Sequence, residues 1–218
     1  MTFLGAIPAL RGLPEAVLVR TAAEARPARY PAGTRLRPAG QPAEGVLLLL
    51  SGTVVAAQPV SGGGEVWTGR WTGPAIVDKP AVLAGGVPTS GLLAVTAISA
   101  RMLAAARFRV LLEEHRSVRE HVLRHLARDV GYARQRLVDA ATLPAVARVA
   151  AWLHAQDPGD AVAWRGSQEQ LARHLGLSRV TVNRALARLT GDGAVRRTPR
   201  GIVVTDRDRL GASAADLR

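Results

Sequence analysis

The segment Gln168-Glu-Gln-Leu-Ala-Arg-His-Leu-Gly-Leu-Ser-Arg-Val-Thr-Val-Asn-Arg-Ala-Leu-Ala187 decides the reading of this chain. Ser167 and Gln170 make the S-x-x-Q pattern of a capping box, in which two side chains satisfy amides left open at a helix start. A helix is therefore expected from Gln168, with Leu171, Ala172 and Leu175 facing inward. Gly176 supplies the positive φ of a tight turn, and Ser178 caps a second helix. On that helix Val182, Ala185, Leu186 and Leu189 form the buried face, and the small Ala172 permits a close crossing. Arg179, Val180, Asn183 and Arg184 point the other way, with Arg188 one turn beyond Arg184. These are the parts of a helix-turn-helix, whose second helix enters the major groove of DNA.

The outward side chains suit that groove. A guanidinium can bridge O6 and N7 of guanine, and Val180 can touch a thymine methyl. Gln168, Ser178, Thr181 and the helix termini are better placed for phosphates, which set register rather than sequence preference. Beyond the second helix, Asp192-Gly193 turns the chain into a β-hairpin over 194–204 with Thr198-Pro-Arg-Gly201 at its tip. Its Arg196, Arg197 and Arg200 can clamp the flanking backbone as a wing. A helical hairpin with a merely solvated charged face would not need capping box, crossing alanine, turn glycine and wing together.

Composition agrees with a polyanionic partner. The 218 residues carry a net charge of +12 and a pI near 11.6, which favours nucleic acid or an anionic membrane surface. Residues 141–218 hold 12 basic against 7 acidic side chains, so the excess leans C-terminal. Lys79 is the single lysine, and an arginine excess also follows from GC-rich coding. With no cysteine, disulfides and cysteine-ligated zinc or iron–sulfur centres are excluded. No pure apolar run is longer than Val46–Leu50, which suits a buried strand and not a membrane span. No secretory signal opens the chain, and a cytoplasmic protein is expected.

Three segments follow, giving an α+β fold. Residues 1–106 read as mostly β after a short helix near Leu13–Glu24, with strands at Gly45–Leu50, Thr53–Ala57, Val66–Trp71 and Leu92–Ile98 between recurrent Gly and Pro. Many short strands with such punctuation indicate a sandwich or roll. Residues 107–141 read as a long helix, with Val118, Val122, Leu126, Val130, Ala133, Leu137 and Ala140 in one apolar stripe. An amphipathic helix lying on its own domain fits. A two-stranded coiled coil holding a homodimer fits better, because the stripe is narrow and Arg119, Arg124, Arg128 and Arg134 flank it. Residues 142–218 are the third segment, where Thr142 is expected to cap a helix with Pro144 in its first turn.

Together these features resemble the CRP/FNR family of bacterial transcription regulators, over almost the whole chain. Ser178-Arg-Val-Thr-Val-Asn-Arg184 is similar to the family's S-R-E-T-V-x-R recognition helix. The resemblance implies base contacts from Arg179 and Arg184 and a backbone contact from Thr181. The family's glutamate is Val180 here, so the preferred site should differ from that of the best-known members. It also implies an N-terminal β-roll related to cyclic-nucleotide-binding domains, whose glycine punctuation is matched by Tyr30-Pro-Ala-Gly33 and Leu50-Ser-Gly-Thr-Val54. The long helix becomes the dimerisation helix and the C-terminus a winged helix-turn-helix; RNA polymerase is a further partner the resemblance admits.

Cyclic-nucleotide binders carry G-E in the roll and, about ten residues later, R-S or R-T. Here those positions resemble Val77-Asp78 and Thr89-Ser90. Asp78, Thr89 and Ser90 are thus the effector-pocket candidates, but the arginine that would neutralise a cyclic phosphate is missing, which costs several kcal/mol. Lys79 lies on the wrong side of the loop. No cofactor is expected, and any effector is not a typical cyclic nucleotide.

Enzymatic readings find no support. The five histidines (115, 121, 125, 154 and 174) lie beyond the roll, so a cupin-like metal site lacks ligands. His121 and His125, at i and i+4, are more simply solvated or interface residues than metal ligands. Gly62–Gly64 lacks the Lys-Ser/Thr of a phosphate loop, and Ser61 and Ser90 lack a triad. Trp67 and Trp71 are core or rim aromatics, or line a ligand pocket. RNA binding lacks stacking aromatics beside the arginines. The expectation is a homodimeric regulator on an inverted-repeat operator in double-stranded DNA; the alternative is a small-molecule sensor signalling through a protein partner.

Overall fold

Strand β3 (Gly45–Ser51) is buried on both faces, and it organises the N-terminal half of the molecule. Val46 and Leu48 face one apolar cluster while Leu47 and Leu49 face another, as the two-residue period of a strand requires. That double burial explains the uninterrupted apolar run. The computed structural model describes residues 3–61, 63–156, 162–199 and 201–215. Its chain divides into two units, Met1–Val130 and Gly131–Arg218.

In the first unit, two short turns (Phe3–Ala6 and Pro8–Leu10) and helix α1 (Glu15–Glu24) lead into the strands. One antiparallel sheet contains β1 (Arg26–Tyr30), β8 (Ile98–Ala104), β3 and β6 (Ala75–Val77), in that spatial order. The other contains β2 (Arg35–Arg37), β7 (Gly91–Ala94), β4 (Thr53–Pro59) and β5 (Glu65–Thr72). Leu47, Leu49, Val54, Val77, Leu92 and Ile98 belong to the cluster shared by the two sheets. The expected single strand Leu92–Ile98 is two: β7 ends at Ala94, the Val95 and Thr96 amides bond to the Thr53 carbonyl, and the chain crosses to the other sheet as β8. A short helix, α2 (Lys79–Ala84), bridges β6 and β7.

The second cluster gathers Leu4, Ile7, Leu10, Val46, Leu48, Leu103, Phe108 and Leu111 beneath α1 and α3 (Ala105–Glu114). One helix was expected over 107–141. The chain instead breaks at His115, whose backbone is extended, and resumes as α4 (Arg116–Thr142). Arg119 donates to the carbonyls of Leu112 and Glu113, satisfying the end of α3. The boundary between the two units falls inside α4, at Val130/Gly131.

The second unit holds the end of α4, then α5 (Ala145–His154), β9 (Val162–Trp164), α6 (Gln168–Leu175), α7 (Arg179–Gly191), β10 (Val195–Thr198), β11 (Gly201–Val204) and α8 (Arg207–Ala215). Thr142 does not cap α5. It ends α4, its hydroxyl turned back to the Val138 carbonyl, and Pro144 occupies the cap position with no side-chain bond. A third strand, β9, joins the hairpin alongside β11. Gly201, at φ +132°, allows that approach, since a Cβ there would sit 1.9 Å from the Trp164 carbonyl oxygen.

Candidate nucleic-acid interface

The helix-turn-helix is built from its caps outward. Ser167 Oγ accepts the Gln170 amide at 3.1 Å and Gln170 Oε1 accepts the Ser167 amide at 3.0 Å, closing the capping box. Gly176 takes the left-handed conformation at φ 63°. Ser178 Oγ accepts the Thr181 amide at 3.0 Å and lies 2.7 Å from the Thr181 hydroxyl, so these two side chains lock the first turn of α7. Leu171, Ala172 and Leu175 on α6 and Val182, Ala185, Leu186 and Leu189 on α7 are buried together.

Burial of one face of α7 turns the other outward. Ser178, Arg179, Val180, Arg184 and Arg188 are exposed, and Gln168, Thr181 and Asn183 are half-buried. Val180 is 58% exposed, an apolar side chain between outward arginines. No acidic residue lies on α7. On the hairpin, Arg196 and Arg197 of β10 are both exposed; Arg200 lies outside the described residues. Glu169 on α6 is paired with Arg173 at 3.2 Å, which keeps its charge from facing the basic surface alone.

Two arginines fix the turn from behind. Arg136, in the last two turns of α4, donates to the His174 carbonyl, and Arg148 of α5 donates to the adjacent Leu175 carbonyl. Burial and the neighbouring Arg148 charge lower the Arg136 pKa. Trp152, Trp164 and His174 pack edge-on beside them, with the tryptophan rings 5.2 Å apart. Neither arginine was singled out in the sequence, where each is one basic residue among many.

The stripe on α4 divides. Val118 and Val122 are fully buried in the first unit's own core, with Leu126 packed against it. That corrects the expectation of a seam through Val118 and Val122, because covered side chains have no surface for a partner. Val130 and Leu137 are 51% and 71% exposed, and Ala133 is exposed. Leu123, which the sequence stripe omitted, is 58% exposed and precedes Val130 and Leu137 at seven-residue spacing. That repeat was the available signal.

In the roll, the effector candidates do not converge on an open carboxylate. Asp78, buried and at φ 67°, accepts Arg37 Nε at 3.0 Å and its terminal nitrogen at 3.1 Å. The same guanidinium donates to the carbonyls of Pro38 and Gln41, so it pins the loop as well. Thr89 is exposed and Ser90 half-buried. Trp67 is buried, Trp71 half-buried. Lys79 is buried and donates to the Ile76 carbonyl, and desolvation lowers its pKa to about 8 against the opposing pull of Asp129. His125 pairs with Asp129 at 3.3 Å, and among the described residues no cluster of metal-ligating side chains forms. No described helix is long and apolar enough to cross a membrane.

Comparison with known proteins agrees with this geometry. Residues 147–213 match the Crp-like helix-turn-helix domain. The chain is 24% identical over 212 residues to a CRP-like cAMP-activated global transcriptional regulator of Mycobacterium tuberculosis, covering 94% of this chain and 95% of that one. Its fold is similar to that of FixK2 from Bradyrhizobium japonicum (TM-score 0.73, 20% identity, 89% of this chain and 99% of that one). It is also similar to the c-di-GMP responsive global regulator CLP of Xanthomonas campestris (TM-score 0.71, 20% identity, 88% and 99%). Residues 147–213 thus carry a Crp-like helix-turn-helix domain, in a chain that is similar over most of its length to a CRP-like transcriptional regulator.

Proposed function

We propose that the protein acts as a homodimer that reads an inverted-repeat operator, one α7 per half-site. Residues 1–106 serve as the sensing roll, 107–141 as the dimer helix and 142–218 as the reading head. The observation that carries this reading is the outward arginine face of α7, accompanied on the same chain by a bare heptad seam at Leu123, Val130 and Leu137. Ala133, exposed as well, falls between Val130 and Leu137 at the spacing a two-stranded coil uses. Arg179 and Arg184 take guanine edges, while Gln168, Ser178, Thr181, Asn183, Arg188, Arg197 and Arg200 hold the backbone and neighbouring positions.

Relatives respond by name to cAMP or c-di-GMP. In this chain the acidic residue in the corresponding loop is already held by Arg37, and Thr89 stands where an arginine would meet the phosphate. A typical cyclic nucleotide is therefore not the effector of this roll. Selection of binding sites from random duplex DNA, at several salt concentrations, tests the main reading. An enriched inverted repeat whose affinity falls steeply with salt supports it. Recovery of unrelated sequences, with binding indifferent to salt, rejects it.

A further inference from the structure

We propose that Arg136 is a positioning residue that fixes the reading head to the end of α4 and so sets the operator spacing the dimer accepts. The inference rests on the dimeric reading above and adds to it the part that measures distance. The carbonyls at a helix C-terminus lack intrahelical donors. At the end of α6, Gly176 and Leu177 already return their amides to Ala172. Arg136 and Arg148 reach the last two carbonyls of α6, those of His174 and Leu175, from two different helices.

Bringing two guanidiniums to adjacent carbonyls sets like charges near each other; burial first, and the Arg148 charge second, lower the Arg136 pKa. An arrangement serving only to close α6 would not need the second cation to come from α4. Its placement on α4 is informative: Arg136 grips the turn of the helix-turn-helix, while the next residue, Leu137, is bare. Consecutive helical positions lie about 100° apart, so one face of α4 holds the reading head while the neighbouring face carries the seam.

The chain itself joins α4 to α5 through Leu143 and Pro144 alone, with the proline at φ −64°. A covalent link at one end and the Arg136 bond to α6 make two attachment points, and two points define a direction where one leaves a pivot. When two copies of α4 pair, the separation and angle of the two α7 helices are inherited from this joint. Each added base pair shifts a half-site by about 3.4 Å and rotates it by about 35°. A fixed joint therefore appears as a sharp preference for one spacer length.

The test uses the full chain and the selected operator with its spacer shortened or lengthened by one and two base pairs. Wild type is expected to lose about 10- to 100-fold in affinity on the altered spacers, the worth of a charged hydrogen bond expressed as a ratio. Arg136→Ala should reduce that loss to less than about 3-fold, each spacer being compared with the same variant's affinity for its own selected spacer. Arg136→Lys should restore part of the preference. Arg148→Ala removes the neighbouring bond from a helix within the head, and should lower thermal stability without relaxing spacing. If R136A is unfolded by circular dichroism, Arg136→Gln carries the same comparison.

A folded R136A that keeps the wild-type spacer preference overturns the inference, leaving Arg136 as a helix cap. Equal relaxation by R148A also overturns it, because the effect would then belong to the stability of the turn. Absence of any inverted repeat for wild type would instead defeat the dimeric reading from which this inference starts.

Discussion

Removing the 5-methyl group of one thymine per half-site, by substituting deoxyuridine, isolates the contribution of Val180. Its side chain is exposed in the first turn of α7 with Arg179 and Arg184 beside it, and a valine has nothing to offer DNA except apolar contact. Wild type should lose about 0.8 kcal/mol per half-site at one position, and Val180→Ala should lose nothing further there. Arg179→Ala should erase discrimination at a single base pair, at about 1–3 kcal/mol; uniform weakening of every operator variant would make Arg179 a phosphate contact. Lys79 yields a pH prediction. Its pKa is about 8 in the fold against an ordinary 10.5, so between those values the folded state holds fewer protons than the unfolded one. Stability should therefore rise by about 1–3 kcal/mol as pH climbs through that window, and Lys79→Met should abolish the rise in urea midpoints. The outward residues of α7 were legible because helical period and caps determine which side chains point out. The burial of Lys79 was not, and neither was the pairing of Asp78 with Arg37, whose partners lie 41 residues apart in sequence and meet only in space.

Among the elements, α4 shows how far periodicity reaches. A four-residue repeat through Val118, Val122 and Leu126 drifts around the helix, and it follows the face covered by the roll's own core. The seven-residue repeat through Leu123, Val130 and Leu137 stays on the bare face. Both repeats are present in the same sequence, and only tertiary packing decides which is covered. The break at His115 was hidden for a similar reason: no proline or glycine marks it, and Arg119 supplies the missing donors from the following helix. Gly131 lies within α4, and a Cβ there would meet nothing within 4 Å. Gly131→Ala should consequently stabilise the protein by about 0.5–1 kcal/mol, read as a higher denaturant midpoint. Destabilisation would mean that a partner helix approaches too closely there for a methyl group.

For the whole molecule, the proposed function makes the arginine face of α7 and the bare seam of α4 parts of one recognition device. Leu137→Glu places a charge on the most exposed seam position and should convert a sedimenting dimer to monomer while the thermal transition of the chain remains cooperative. Operator affinity should then fall by about 10³-fold or more, since two half-sites are no longer held together. A dimer that survives the substitution would locate the interface elsewhere. The most direct test of the account is dimethyl sulfate interference on the selected operator, which methylates guanine N7 in the major groove and adenine N3 in the minor groove. The account predicts two dyad-related patches of guanine N7 interference, centred about 10 base pairs or a multiple of that apart. A single patch, or interference confined to adenine N3, would contradict it.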